Sequence, residues 1–194
     1  FRPGQELLRH DEAIALLRER IQPTVGTEIV SIAAAGGRVI AEAAVARSPV
    51  PAHTNSAVDG FAFAHASGSR LEAKGWRVVG RAAAGHPMPE PMAVEGAVRI
   101  FTGAVLPDGA DTVVMEEDCD LFKDDTGARI QMRGVPKLGA NVRWAGEDVS
   151  IGEALIGPGA VIRPQDVAGL ASIGLGQVNC FKRLKVGVIS SGDE

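Results

Sequence analysis

The sequence has no tyrosine, and aromatic residues make up only 4% of its 194 positions. It also has no excess of basic residues, because 20 Lys and Arg side chains are outnumbered by 24 Asp and Glu side chains, which gives a net charge of -4. Proteins that bind nucleic acids combine basic patches with aromatic stacking platforms. The composition therefore argues against a nucleic-acid partner, and the charge balance argues against an anionic membrane surface.

The sequence contains only two cysteines and no long apolar segment. Cys119 and Cys180 lie far apart, without the spacing of a CxxC motif or a nearby histidine. We therefore expect two reduced thiols and neither a disulfide nor a zinc site. No apolar run reaches the roughly 20 residues of a membrane-spanning helix, and the first residues do not resemble a secretory leader. A cytoplasmic protein that does not associate with membranes is the expectation.

Hydrophobic periodicity predicts one helix near the start of the chain. Residues 11–21 place Ile14, Leu17 and Ile21 on one helical stripe, and Pro23 ends the pattern. Such a helix needs another surface to cover its apolar face.

Short strands separated by Gly, Pro and Asp clusters dominate the rest. Those between residues 76 and 132 indicate a small barrel-like or sandwich domain. Residues 184–189, LKVGVI, form a continuous apolar run that is typical of a strand buried in a parallel sheet. The predicted elements are strands at 27–32, 76–81, 97–102, 111–115, 128–132, 177–181 and 184–189, a hairpin at 153–162 and a second helix at 164–173.

Residues 48–63, SPVPAHTNSAVDGFAF, combine prolines, polar residues and one carboxylate. Pro49 and Pro51 exclude a regular helix start or a strand interior here, so we predict an ordered loop. The loop would deliver Asp59 to a defined place, as functional loops do. The pair Asp59-Gly60 is also a good plain turn. Local chemistry alone leaves both interpretations open.

Four segments resemble, in order, motifs of the molybdopterin molybdenumtransferase family, which includes MoeA and the gephyrin E domain. Residues 51–62 resemble the family's P-x-x-x-x-S-x-x-D-G-[YF]-A loop. Residues 100–118, IFTGAVLPDGADTVVMEED, are similar to its next signature, and residues 143–149, RWAGEDV, to its Gly-Glu-Asp segment. Residues 184–194, LKVGVISSGDE, resemble the strand and T-G-D-E loop that begin its molybdopterin-binding domain. Each motif is weak alone, but their shared order makes the resemblance specific.

The resemblance implies an α+β, multidomain fold. Residues 27–48 and 149–181 would form an elongated linking domain around an inserted β-rich domain at 49–148. Residues 1–26 would carry a helix that packs on the third domain. Residues 182–194 would begin that domain, an αβα molybdopterin-binding unit that is otherwise absent, so we expect an N-terminal fragment of a longer protein.

The resemblance also implies a reaction, in which molybdate is inserted into adenylylated molybdopterin with Mg²⁺ and AMP is released. Family members are homodimers whose active site lies between the inserted domain of one protomer and the third domain of the other. An upstream molybdopterin adenylyltransferase and molybdoenzyme chaperones are further expected partners. Carboxylates suit Mg²⁺, and glycine-rich turns with hydroxyls suit an oxyanion.

Matching residue by residue implies a set of site residues. Asp59 would orient a metal-bound water or act in acid–base chemistry, Thr102 would donate to a phosphate or molybdate oxygen, and Asp148 is a third catalytic candidate. The substrate-binding candidates are Ser56, Gly60, Gly103 and Asp193, and the candidate Mg²⁺ ligand is Glu194.

Some residues depart from the family pattern or admit other interpretations. Ser191 replaces the usual threonine and keeps a hydroxyl, while His53 has no metal-binding partner in the sequence and is not assigned a role. The acidic residues 116–118 and Asp120 are interpreted as a solvated strand end. A non-enzymatic, gephyrin-like scaffold dimer is the main alternative function. A scaffold can lose Asp59 and Glu194, so their presence favours the enzyme. A β-rich sugar- or peptide-binding module explains residues 184–194 less well.

Overall fold

The computed structural model describes residues 8–68 and 74–192, so the candidates Asp193 and Glu194 lie outside the described residues. The fold is a mixed α/β fold with a curled sheet. In chain order its helices and strands are α1 His10–Arg20, β1 Thr27–Ser31, β2 Ala44–Val45, β3 Asn55–Ser56, β4 Gly60–Phe63, β5 Trp76–Ala82, β6 Gly96–Ile100, β7 Thr112–Met115, β8 Cys119–Asp124, β9 Gly127–Met132, β10 Val142–Arg143, β11 Ala154–Ile156, α2 Pro164–Ser172 and β12 Gln177–Phe181. Within the described ranges, none of the helices has both the length and the apolar character needed to cross a membrane.

Helix α1 confirms the predicted N-terminal helix. The Arg9 amide donates to the Glu12 carboxylate at its start (3.1 Å), and basic side chains occupy its last turn, where they complement the helix dipole. None of its residues is buried, and Leu17 remains 50% exposed. The apolar stripe is thus uncovered by the described part of the chain, and its packing on a third domain stays a prediction.

The first and last thirds of the described chain share one hydrophobic core. Strand β1 pairs antiparallel with β12, and β2 pairs antiparallel with β11. Helix α2, which begins with Pro164 as predicted, packs Leu170 into this core. The other buried members are Ala35, Ile40, Ala44, Ala46, Ile162, Ile173, Leu175, Val178 and Cys180.

The chain leaves this core and returns to it at two adjacent segments. The Val50 amide donates to the Val149 carbonyl (2.9 Å), and the Asp148 amide donates back to the Val50 carbonyl (2.9 Å). The β-rich residues between these two points therefore form one continuous insertion, with its entrance and exit hydrogen-bonded to each other.

A six-stranded sheet, ordered β7-β4-β6-β5-β9-β8, forms the main part of the insertion. Strands β5 and β6 run parallel, and the other neighbours are antiparallel. One face buries Phe63, Trp76 and Ile130, whereas the other buries Val98 and Val113. Because both faces are covered by apolar clusters, the sheet is held rigidly, and the loops at its ends have defined positions.

Three predictions of secondary structure are wrong. Residues 184–189 form no strand and are exposed, because a strand needs a hydrogen-bonded neighbour and none of the described residues provides one. Residues 153–162 form no hairpin, since β11 pairs with β2 and Val161 pairs with Val39. Residues 48–63 are only partly a loop, because their last four residues are β4, a strand inside the sheet. The two cysteines are free thiols, as predicted.

Candidate functional site

Asp59 and Thr102, which are 43 residues apart in sequence, lie in direct contact. The Thr102 amide and hydroxyl both donate to Asp59 Oδ1, at 2.7 and 2.8 Å. Asp59 directly precedes β4 and Thr102 closely follows β6, and these strands are antiparallel neighbours. The same end of the sheet therefore holds both residues, and both are exposed to solvent.

Hydrogen bonding lowers the pKa of the Asp59 carboxyl group below its ordinary value. The largest cause is the Thr102 amide, followed by the Thr102 hydroxyl, with a smaller contribution from the positive charge of Arg99. Asp59 is thus held as a carboxylate near neutral pH. Because the amide and the hydroxyl of Thr102 both donate to Asp59, Thr102 positions the carboxylate in this arrangement. It has no further hydrogen-bond donor for an oxyanion.

Two glycines allow the backbone to form this site. A Cβ atom on Gly60 would lie 1.9 Å from the Val114 carbonyl oxygen, so only glycine permits the close approach of β4 to β7. Gly103 has a φ of 75°, in the left-handed region that favours glycine, and its amide donates to the Ser56 carbonyl (2.8 Å). Gly60 is buried, whereas Gly103 is exposed beside Thr102. The structure therefore gives Gly60 a packing role and leaves Gly103 accessible.

Ser56 is placed differently from the other candidates. Its side chain is buried, and its hydroxyl donates to the Val58 carbonyl (2.6 Å), which closes the turn before Asp59. In this conformation Ser56 has no surface that a substrate could contact.

Strand β3 lies between the Asp59 site and a second polar cluster. Asn55 pairs with Arg143 of β10 on one side and forms a β-bridge with Val105 on the other. Neighbouring strands are about 4.8 Å apart, so these two flanking backbones are roughly 10 Å apart. The Arg143 and Val105 backbones therefore lie on opposite sides of β3.

Asp148 belongs to the second cluster. Arg143 donates to Asp148 Oδ2 (2.7 Å) through Nη2 and to Glu147 Oε1 (2.5 Å) through Nε. Glu147 also accepts from the Trp144 amide (2.8 Å). These bonds, first of all the one from Arg143, lower the pKa of Glu147. Asp148 is exposed but is paired with Arg143, and the structure gives it no direct contact with Asp59.

A row of cationic and aromatic side chains beside Asp59 was not identified from the sequence. The Arg99 guanidinium carbon lies 5.0 Å from the ring centroids of both Phe61 and Phe101, and Arg99 forms an ion pair with Glu116. Arg81 lies over the same Phe101 ring, at 4.8 Å. Alternation along β6 could have indicated that Arg99 and Phe101 share a face. Their pairing with β4 and β5 depends on long-range topology.

The described residues do not form a complete metal site. They contain no group of three or more His, Cys, Asp or Glu side chains that could hold an ion. Glu116 of the acidic segment is paired with Arg99. Residues 8–68 and 74–192 therefore do not form a Mg²⁺ site by themselves.

Fold and site together define a class of protein, in which segments from both ends of the described chain form one core and a curled β-sheet with an ionised carboxylate at its end is inserted between them. The chain belongs to the family described as the MoeA N-terminal region, domains I and II, whose model matches residues 8–174.

Named relatives support this assignment. A molybdopterin molybdenumtransferase from Haemophilus influenzae is 36% identical over 188 residues, which cover 97% of this chain and 45% of that protein. A gephyrin from Dictyostelium discoideum is 28% identical, over 95% of this chain and 27% of that protein. A solved structure of the molybdopterin biosynthesis protein MoeA from Pyrococcus horikoshii superposes with a TM-score of 0.73 at 30% identity, covering 90% of this chain and 46% of that one. The chain thus spans less than half the length of these relatives.

Proposed function

We propose that this chain is the part of a molybdopterin molybdenumtransferase that supplies one side of its active site. The full-length protein would insert molybdate into adenylylated molybdopterin and release AMP in a Mg²⁺-dependent reaction of molybdenum cofactor biosynthesis. The observation that carries the proposal is the exposed Asp59 carboxylate, held ionised by Thr102 in a chain of this family.

The geometry favours one role for Asp59 over another. A carboxylate with a lowered pKa is a weak base, so proton abstraction is less favoured than accepting a hydrogen bond. Oδ1 is occupied by Thr102, and Oδ2 accepts no hydrogen bond from the described residues. Asp59 therefore orients a water molecule or a protonated substrate group through Oδ2, and Thr102 acts as its positioning residue.

The remaining candidates have different degrees of support. Gly103 presents an exposed backbone next to Thr102, which suits a substrate contact. Asp148 contributes through Arg143, whose guanidinium it fixes. The burial of Ser56 and Gly60 supports structural roles for them. Asp193 as a substrate contact and Glu194 as a Mg²⁺ ligand, completed by an acid beyond residue 194, rest on the family resemblance alone.

The same resemblance supports the proposed assembly. The protein would be a cytoplasmic homodimer, with the Asp59 surface facing the third domain of the partner protomer. A molybdopterin adenylyltransferase would supply the substrate, and molybdoenzyme chaperones would receive the product. The uncovered stripe of α1 supports the presence of a further packing surface in the full-length protein.

Release of AMP by the full-length protein tests this function. The protein is incubated with adenylylated molybdopterin and Mg²⁺, with and without molybdate, and AMP is quantified. Molybdate-dependent AMP release is expected from the full-length protein and not from the 194-residue chain alone, because the proposed site also needs a third domain. Absence of release from a folded, dimeric full-length protein would instead support the scaffold function. Release by the 194-residue chain would show that the proposed two-domain site is wrong.

A further inference from the structure

Arg81 is an exposed cation at the edge of the candidate site that no step above uses. Its guanidinium carbon lies 4.8 Å from the centroid of the Phe101 ring. Phe101 directly precedes Thr102, the residue that holds Asp59. Stacking on an aromatic ring restricts a guanidinium group to a few orientations while its donors remain available.

The charge of Arg81 is not neutralised by a neighbouring acid. Arg99, which contacts the same ring, is paired with Glu116, and Arg143 is paired with Glu147 and Asp148. Within residues 8–68 and 74–192, no carboxylate forms an ion pair with Arg81. Its positive charge is therefore available to an external anion.

An irregularity in the sheet aims Arg81 at this site. The pairing of β5 with β6 shifts between Val78 and Gly80, so that Arg81 lies opposite Arg99. Side chains alternate along a strand, and without the shift Arg81 would share the face of Val79, in the opposite apolar cluster. Bulges of this kind commonly re-aim a side chain beside a functional site.

We propose that Arg81 is an oxyanion-binding residue, whose guanidinium group captures a tetrahedral oxyanion next to Asp59. The proposal rests on the proposed function, and the ligand class is molybdate or the phosphate group of the adenylylated substrate. A guanidinium group binds two oxygens of such an anion in parallel. It also supplies the counter-charge that the site needs, because Asp59 alone repels an anion.

Anion binding to the 194-residue chain tests this proposal without requiring turnover. The backbone amide signals of Thr102 and Gly103, which every variant retains, are followed by NMR during titration with sodium molybdate and, separately, with AMP, at constant ionic strength; the Arg81 Nε–H signal is followed as well in the wild-type chain. Arg81→Met should weaken binding of the anion by about two- to fivefold, the scale of one exposed charge pair. Arg81→Lys should lose less, because it keeps the charge and loses the planar fork. Arg77→Met is the matched control, since Arg77 is exposed on the same strand and lies away from Phe101.

The outcomes distinguish molybdate from the nucleotide phosphate as the ligand. They also distinguish failure of the Arg81 proposal from failure of the proposed transferase function. Binding of molybdate alone assigns the residue to the metal oxyanion, and binding of AMP alone assigns it to the nucleotide phosphate. Equal affinities for the Arg81→Met and Arg77→Met variants, or no binding to the wild-type chain, would overturn the inference even if the full-length protein releases AMP. Arg81-dependent binding in a protein that never releases AMP would leave this site intact and refute the transferase function.

Discussion

Replacing Gly60 by alanine tests whether this glycine is required for packing of the sheet, as opposed to substrate binding. The added Cβ would lie 1.9 Å from the Val114 carbonyl oxygen and 2.9 Å from its carbon, whereas real Cβ atoms stay beyond about 3.0 Å. The obstacle is backbone of β7, which pairs with β4 from Gly60 to Phe63, so it cannot move aside alone. Overpacking costs about 1–3 kcal/mol, and each strained ladder hydrogen bond costs about 1 kcal/mol more.

The expected loss of stability for Gly60→Ala is therefore about 3 kcal/mol. For a chain of this size, that loss lowers the thermal midpoint by about 6–12 °C. Urea and thermal unfolding of the 194-residue chain measure the effect. Gly134→Ala is the matched control, because its Cβ would meet nothing within 4 Å and its stability should change by less than about 0.5 kcal/mol. A Gly60→Ala protein as stable as the control would refute the packing argument.

Two further predictions concern the acidic residues. Thr102→Val should raise the pKa of Asp59, because it removes the hydroxyl donor, and the retained amide should still hold that pKa below its ordinary value; an unchanged titration of the Asp59 carboxyl carbon by NMR would contradict this. Acid should destabilise the chain, because folding lowers the pKa values of Asp59, Asp120, Asp124, Glu147 and Asp166. Their contribution is present above the unfolded pKa values of about 3.9–4.3 and is lost as the pH falls through the folded values. A urea midpoint that does not fall between about pH 5 and pH 2.5 would disprove it.

Prediction from the sequence succeeded for elements that are stabilised by local contacts or that have a long run of helix-forming or strand-forming residues. Helix α2 follows from Pro164 at its first position and an apolar run behind it. The strands between residues 76 and 132 follow from β-forming runs separated by turn residues, and all of those predicted are present. Such signals need no knowledge of distant partners.

Most of the elements that were missed depend on distant partners, whereas β8, which was also missed, pairs locally with β9. The two-residue strands β2, β3 and β10 are too short to show a period, and each exists only through a neighbour far along the chain. Strand β4 was predicted as loop because the prolines at its N-terminal side dominate the local pattern. Residues 184–189 show the converse, since a strong apolar pattern forms no strand without a neighbouring strand.

Only part of the candidate site could be predicted, because the rest also depends on pairing between strands that are distant in sequence. Motif resemblance selected Asp59 and Thr102, and the structure brings them into contact. The direction of that contact could not be predicted, because only the β4–β6 pairing shows that Thr102 donates to Asp59. The cationic row of Arg81 and Arg99 requires the parallel pairing of β5 with β6, which no local pattern indicates.

The proposed function requires the carboxylate of Asp59 for the reaction. Asp59→Asn in the full-length protein preserves size and removes the charge, and molybdate-dependent release of AMP from adenylylated molybdopterin is the measurement. The matched control is Asp124→Asn, because Asp124 Oδ1 likewise accepts from a threonine amide and hydroxyl, at 2.8 and 2.6 Å, in the distant β8–β9 turn. We predict that Asp59→Asn abolishes AMP release while dimerisation persists, and that Asp124→Asn retains full activity. Wild-type release by the Asp59→Asn protein would contradict the account.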